Sequence, residues 1–338
     1  MNVRLKPLNE QVIVITGASS GIGLATARMA AQQGARLVLA ARNEEALQDI
    51  EHNLGGASGT VVTVVADVSQ REELQKVADK ALEAFGGFDT WINNAATSVW
   101  GTVEQVSDED CRQLFETNFW GTVYGSKIAA AHLRERGGSI INIGSLESAA
   151  PLPYHSMYSA SKHAIKAMTD VLRVELRKEK APVSVTLVRP ASINTLFNDH
   201  AKNYLPSAPV LPPPVYTPET VARAILKAAV HPQRDVFVGS PAKVMTKIAQ
   251  NFPRLYDVIS EKLLSNAIPS GRPDNNREGE MYSADYTPGN YGQASGRNPG
   301  PKMQHSLYTQ ASQHPIASTT LAVLGGLVIG ALVKGRRR

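Results

Sequence analysis

The stretch Gln11-Val12-Ile13-Val14-Ile15-Thr16-Gly17-Ala18-Ser19-Ser20-Gly21-Ile22-Gly23 decides how the rest of the chain is read. A short run rich in β-branched side chains ends in a cluster of glycine and serine, and a helical pattern follows over 22–33. A strand, a tight turn and a helix are expected there in that order. Similar runs recur at 36–41, 61–66, 89–93, 138–144, 183–189 and 235–239, with helical patterns between them at 43–53, 70–85, 107–134, 154–179 and 218–230. Strands that are apolar on both faces and alternate with helices require a parallel sheet covered on both sides. Right-handed crossovers then give an α/β fold with a doubly wound parallel sheet.

Beyond residue 240 the pattern changes. Residues 241–266 read as a helix through Val244, Ile248, Phe252, Leu255, Ile259 and Leu263, and Pro253 should kink or break it. One domain over 1–266 is therefore expected. Residues 267–315, rich in Pro, Gly, Ser, Asn and Gln, read as a disordered linker. Residues 316–338 read as an apolar helix with a basic end, because Ile316 to Val333 carries no charge and Lys334, Arg336, Arg337 and Arg338 follow. As a helix that run would reach about 27 Å, just short of a hydrocarbon core of about 30 Å. Ser318, Ala322, Gly326 and Gly330 make a small-residue stripe suited to close helix pairing. Membrane attachment through 316–333 is the expectation, and packing against the protein or a partner chain is its rival. A spanning helix would place four cations on the far side, against the positive-inside tendency; a helix lying in the interface, or re-entry at Gly325-Gly326, would avoid that.

The net charge of +5 over 338 residues is basic only because of the last five, which supply four of it. Residues 1–333 are close to neutral, and no nucleic-acid partner is expected. The lone Cys111 excludes an internal disulfide and a cysteine-only metal site, and no metal is expected. Met1 to Glu10 is polar, with no secretory signal, so the body of the protein is expected in the cytoplasm.

Gly17, Gly21 and Gly23 follow the first strand and open the first helix with the spacing G-x-x-x-G-x-G. Glycine permits the turn and brings backbone close to a pyrophosphate, and the amides of the helix N-terminus favour the anion. Ser19, Ser20 and Ile22 belong to the same cradle. Strand two ends Leu39-Ala40-Ala41-Arg42-Asn43, with an arginine and no acid. An acid there would bind a ribose 2′-hydroxyl and an arginine accommodates a 2′-phosphate, so NADP (NADPH) is expected over NAD. Asp67 and the amide of Val68, after strand three, could meet the adenine; a helix cap for 70–85 is the other reading of Asp67.

Tyr158 and Lys162 lie four apart on a helical pattern, hence on one face. A free phenol titrates near 10, too high for a base at neutral pH, and a neighbouring ammonium favours the phenolate. The pair then becomes a usable acid/base. The glycine turn, Asn93-Asn94-Ala95 after strand four, Ser145 thirteen residues before the tyrosine, and Tyr158-x-x-x-Lys162 together resemble the short-chain dehydrogenase/reductase family, in its shorter branch, over residues 10 to about 240. That resemblance implies a Rossmann fold and hydride transfer between NADP(H) and a carbonyl or alcohol. It implies that Ser145 steadies the substrate oxygen, Tyr158 passes the proton, and Lys162 binds the nicotinamide ribose and lowers the tyrosine's pKa. Asn118 matches the asparagine that holds a relay water. Asn94 and Ala95, and Pro190, Ile193 and Thr195 after strand six, match cofactor contacts.

Ala96 and Ala191 depart from the family, which has glycine at both; a methyl there would crowd the cofactor if the backbone φ were positive. Residues 196–217 occupy the substrate-loop position, and their proline and apolar content points to a semi-rigid lid over an apolar pocket, hence an apolar small-molecule substrate. Glu147, His155 and His163 lie near the reacting residues without metal-ligand spacing and receive no role. Homo-dimers or tetramers on the helices at 107–134 and 154–179 are implied. A nucleotide-binding scaffold without turnover is the alternative. An epimerase or dehydratase would use the same Tyr/Lys pair but with another glycine spacing and a longer substrate domain. If Arg42 selects the 2′-phosphate, Arg42→Ala lowers the ratio of catalytic efficiencies with NADPH and NADH; an unchanged ratio would reject the assignment.

Overall fold

The computed structural model describes residues 3–55, 59–274, 276–284, 291–298 and 300–313. Among them, β1 (Val12–Thr16), β2 (Arg36–Ala41), β3 (Val61–Val65), β4 (Thr90–Asn93), β5 (Gly138–Ile143), β6 (Val183–Pro190) and β7 (Asp235–Val238) form one parallel sheet. Its order is β7-β6-β5-β4-β1-β2-β3. The chain therefore builds outward from β1 in one direction and from β4 in the other. The crevice at their carboxyl ends is where ligands bind in doubly wound sheets. Val12–Thr16 is buried throughout, as a central strand covered on both faces must be.

The two faces carry separate cores. Ile13, Ile15, Leu37 and Leu39 pack with Leu24 of α1 (Gly21–Gln32) and Ile225 of a later helix, Pro218–Val230. Val12, Val14, Val38 and Ala40 pack on the other face with Leu74, Val77, Trp91 and Leu133. Strand alternation divides one apolar sequence between the two layers.

Helix α2 (Glu44–Leu54) starts where the Asn43 side chain accepts from the Ala46 amide at 2.8 Å. Helix α3 (Arg71–Phe85) starts at Gln70 without a side-chain cap. The expected helix over 107–134 comprises α4 (Asp108–Phe115), a widened π turn at Glu116–Trp120, and α5 (Gly121–Arg136). The expected 154–179 helix is α6 (Ser156–Lys178), and 218–230 is α7 (Pro218–Val230). The 241–266 pattern divides at Phe252 into α8 (Ser240–Asn251) and α9 (Pro253–Ile259), with Pro253 in a first turn, where its missing N–H costs nothing.

The expectation of a disordered linker over 267–315 does not hold for its described residues. Ile268, Met281, Tyr291 and Ala294 are buried, Lys302–Met303 pairs with Val215–Tyr216, and Thr309 Oγ1 accepts from the Gly239 amide at 3.0 Å. Composition misleads here because backbone bonds hold the segment. Asn203 N donates to Arg277 O at 2.8 Å and Glu280 N to His200 O at 2.8 Å. Gly296 lies so close that a Cβ there would sit 2.0 Å from Thr195 O. The apolar tail, 316–338, lies outside the described residues. Among those described, no helix is long and apolar enough to cross a membrane.

Helix α5 backs onto β4 at Gly125, where an added Cβ would meet Asn93 Oδ1 at 2.1 Å and Trp91 Nε1 at 2.8 Å. Gly125→Ala is expected to destabilise the fold by about 1–3 kcal/mol through overpacking. Thermal denaturation should show a loss of several degrees.

Candidate active site

The nucleotide end of the crevice is built from contacts between the β1 and β4 loops. Thr16 Oγ1 accepts from the amides of Asn94 at 3.0 Å and Ala95 at 3.2 Å. Asn94 Nδ2 donates back to Thr16 O at 2.9 Å and Gly17 O at 3.0 Å. Gly17 has φ 64°, and a Cβ on it would lie 2.7 Å from Ala95 Cα, so only glycine makes this turn. Gly17, Ser19, Ser20, Gly21 and Ile22 face the cleft. Gly23 does not: it lets α1 lie against the turn, a Cβ there falling 2.1 Å from Gly17 O. A glycine turn leading to the N-terminus of a twelve-residue helix fits the pyrophosphate of a dinucleotide.

Arg42, Asp67, Val68, Asn94 and Ala95 line the same cleft. Arg42 donates to the carbonyls of Glu280 at 2.6 Å and Met281 at 3.1 Å, and Gly21 N donates to Gln293 O at 3.1 Å. Glu280, Ala284 and Tyr291, all from the C-terminal segment, complete this wall. Asp67 does not cap α3; its Oδ1 accepts from the Ser69 amide at 2.9 Å.

At the reacting end, Ser145 follows β5, Tyr158 and Lys162 project from α6, Pro190 ends β6, and Ile193 and Thr195 follow it; all line the cleft. Lys162 is buried, with Nζ donating to Ile143 O at 2.9 Å and lying 5.4 Å from the Tyr158 ring centroid. Burial pushes the Lys162 ammonium down to about 8, with the Glu147 carboxylate opposing. Burial, reinforced by Glu147, holds the Tyr158 phenol well above its ordinary value, with a hydrogen bond involving Ser145 opposing. The expected lowering of the phenol by Lys162 does not enter the balance set by the protein groups alone: burial and Glu147 raise it and keep the proton on Tyr158. Asn118 lies behind the cleft. Its Oδ1 accepts from Thr97 N at 2.8 Å, and its Nδ2 donates to Thr97 O at 3.0 Å and Ser161 Oγ at 3.2 Å. It fastens the loop after β4 to α6. Neither Ala96 nor Ala191 has a positive φ, so their methyl groups fit without backbone strain.

A sequence profile for short chain dehydrogenase matches residues 11–204, more than half of the chain. The protein belongs to the short-chain dehydrogenase/reductase family. It is similar to the uncharacterized oxidoreductase YxnA of Bacillus subtilis, 46% identical over 335 residues that cover 98% of this chain and 93% of the relative. It is also similar to 11-beta-hydroxysteroid dehydrogenase A of Sesamum indicum, 38% identical over 69% of this chain and 68% of that one. A short chain dehydrogenase/reductase from Burkholderia phymatum, solved in complex with NAD, superposes with a TM-score of 0.67 at 27% identity, covering 74% of this chain and 96% of the other. The chain is an oxidoreductase of the short-chain dehydrogenase/reductase kind.

Beyond the family residues, this dehydrogenase carries a buried polar group against Tyr158. His155 Nδ1 lies 3.0 Å from Glu147 Oε1, its Nε2 lies 2.6 Å from Ser98 Oγ, and Ser159 Oγ donates to Glu147 Oε2 at 2.6 Å. Glu147 and His155 are visible in the sequence as polar residues near the tyrosine, but Ser98 and the stacking Trp100 come from a distant loop. His163 lies apart from this group, with Nδ1 2.8 Å from Ser159 O.

The Lys162 shift sets a stability signature. Its folded pKa of about 8 lies below the ordinary 10.5, so between those values the unfolded chain binds the extra proton and stability rises with pH. The cost of burying the ammonium is fully present below about 8. Lys162→Met is therefore expected to stabilise the protein at pH 7 by about 1–3 kcal/mol. Denaturant titrations should show that advantage shrinking as the pH approaches 10.5.

Proposed function

We propose that this chain is an NADP(H)-dependent oxidoreductase moving a hydride between the nicotinamide and the carbon of an apolar carbonyl or alcohol, with Tyr158 as proton donor and acceptor. The observation that carries the reading is the convergence of Ser145, Tyr158 and Lys162 on one cleft whose other end is the glycine turn. Bound at that turn, the dinucleotide would supply or take up the hydride. Ser145 would donate to the substrate oxygen as negative charge develops there. The protonated Tyr158 is the form needed for carbonyl reduction, and Lys162 would hold the nicotinamide ribose. Asn118, through Thr97 and Ser161, would keep the loop and helix in register.

The preference for NADP(H) rests on Arg42 and the lack of an acid at the end of β2. The Burkholderia neighbour was solved with NAD. An apolar substrate is supported by Trp100, Leu152, Phe197 and Leu211 on the cleft wall, and the sesame relative is named for a hydroxysteroid. On this reading residues 1–266 are the catalytic domain, with Glu280, Ala284 and Tyr291 completing its nucleotide wall, facing the cytoplasm, and 316–333 attach it to a membrane. Exposed Val171 and Val174 on α6, with Trp120 before α5, support a homo-dimer or tetramer. A nucleotide-binding scaffold without turnover is the second reading, on which the cleft would hold the dinucleotide and Tyr158 would pass no proton. Assays across a panel of carbonyl compounds with NADPH separate the two.

Tyr158→Phe is expected to lower turnover at least about 100-fold. NADPH affinity, measured by fluorescence titration, should stay within about threefold of wild type, since the phenol is not among the phosphate-binding groups. Retention of more than a few per cent of activity would overturn the assignment.

A further inference from the structure

His155 is the middle ring of a three-ring stack. Its imidazole lies 3.8 Å from the Trp100 ring at an interplanar angle of 4°, and 4.3 Å from the Tyr158 ring at 15°. Both ring nitrogens are held, one by Glu147 and the other by Ser98. Glu147, His155 and Ser159 are buried, and the remaining Glu147 oxygen is taken by Ser159 one residue past the tyrosine. A fully partnered buried network of this kind fixes one arrangement, because any rotation strands a polar atom away from water.

The backbone supports the same placement. The chain reaches α6 through Tyr154, a non-glycine residue at φ 61°. Gly101 N donates to Tyr154 O at 2.9 Å, and Gly101 bridges His155. A left-handed tyrosine is strained and persists where surrounding contacts over-determine it. Here it delivers His155 into the stack. Phe197 also contacts the phenol, its ring 5.4 Å from that of Tyr158 at 60°.

We propose that His155 is a positioning residue for Tyr158, fixed by Glu147 and Ser98 and clamped on Trp100, so that the phenol is held in line with the cleft and under the charge of Glu147. The proposal rests on Tyr158 being the acid/base. The charged and titratable groups around the phenol are Glu147 on the turn after β5, with His155 and Lys162 at α6. Cys111 of α4 and Tyr204 of the loop after β6 belong to the hydrophobic cluster around its ring. Next to Tyr204, Lys202 and Asp110 pair with each other at 3.1 Å. Of these, Glu147 is the negative group acting on the phenol, and it raises its proton affinity.

The test uses the full chain with NADPH or NADP+ and the apolar ketones and secondary alcohols that the wild type turns over. His155→Ala is expected to lower kcat about 10- to 100-fold, with NADPH Kd within about threefold of wild type. Glu147→Gln keeps the shape and an acceptor but removes the charge. Removing a charge that favours the protonated phenol moves the rising limb of the alcohol-oxidation profile to lower pH, by about one unit. A network that only stabilised the fold would lower activity without moving that limb. Should His155→Ala fail to fold, His155→Gln, which removes the ring stack but keeps a polar side chain, is measured in its place. Wild-type kcat in the folded His155 variant, or an unmoved limb in Glu147→Gln, overturns the proposal. Activity retained in Tyr158→Phe fails the acid/base reading instead, which distinguishes the two.

Discussion

Lys162 is carried into a nearly dry position at the ends of the central strands, where one backbone carbonyl, that of Ile143, accepts from its ammonium. Taking an ammonium out of water costs several kcal/mol unless it is paired. The fold places Glu147 near enough to act on it but commits that carboxylate's oxygens to His155 and Ser159. Desolvation then acts on two neighbours of opposite charge type. It pushes the lysine down and the tyrosine up, so groups that titrate close together in water are driven apart in the order that keeps the phenol protonated. The protein groups alone thus keep the proton on Tyr158.

The sheet determines why these two residues meet the nucleotide turn at all. Strand order reverses between β1 and β4, which opens the crevice, and the Thr16–Asn94 bonds close its floor. Helix α6, which carries Tyr158 and Lys162, lies on the β4–β5–β6 side, and the glycine turn belongs to β1. Any loss of register between β1 and β4 would separate the two halves of the site. The buried bonds of Asn93 to Ser126 and Asn142 hold β4 to its neighbours on that side.

Local pattern sufficed for the strands, which fall within about a residue of their apolar runs, because the parallel interior demands uninterrupted β-branched sequence. It also sufficed for the cleft residues that follow strand ends, since the topology fixes where those ends lie. It did not reveal the π turn at Glu116–Trp120, because one extra residue barely disturbs the apolar spacing of 107–134. That turn carries Asn118, which is placed behind the cleft rather than on its wall. The partners of His155 were illegible for another reason. Ser98 and Trp100 lie more than fifty residues away in sequence, and no periodicity links them to α6. The C-terminal segment escaped because composition rules count apolar side chains, whereas Gly279 and Gly296 contribute close backbone approach.

That segment changes what binding at the nucleotide end must involve. Carbonyl oxygens and phosphate oxygens are both acceptors, so Gln293 O on Gly21 N, and Glu280 O and Met281 O on Arg42, offer these donors partners of the same polarity as a dinucleotide would. A phosphate entering there exchanges with or joins a carbonyl instead of satisfying a bare donor. An anion gains more from a guanidinium than a neutral carbonyl does, which favours the exchange. The displaced carbonyls must find water, which opposes it. Arginine, with five donors in a fixed fork, can share between both acceptors. A single backbone amide has one hydrogen to give. The crowding is therefore most restrictive at Gly21, and any movement of the C-terminal segment on binding has to be sought first at Gln293 rather than at Met281.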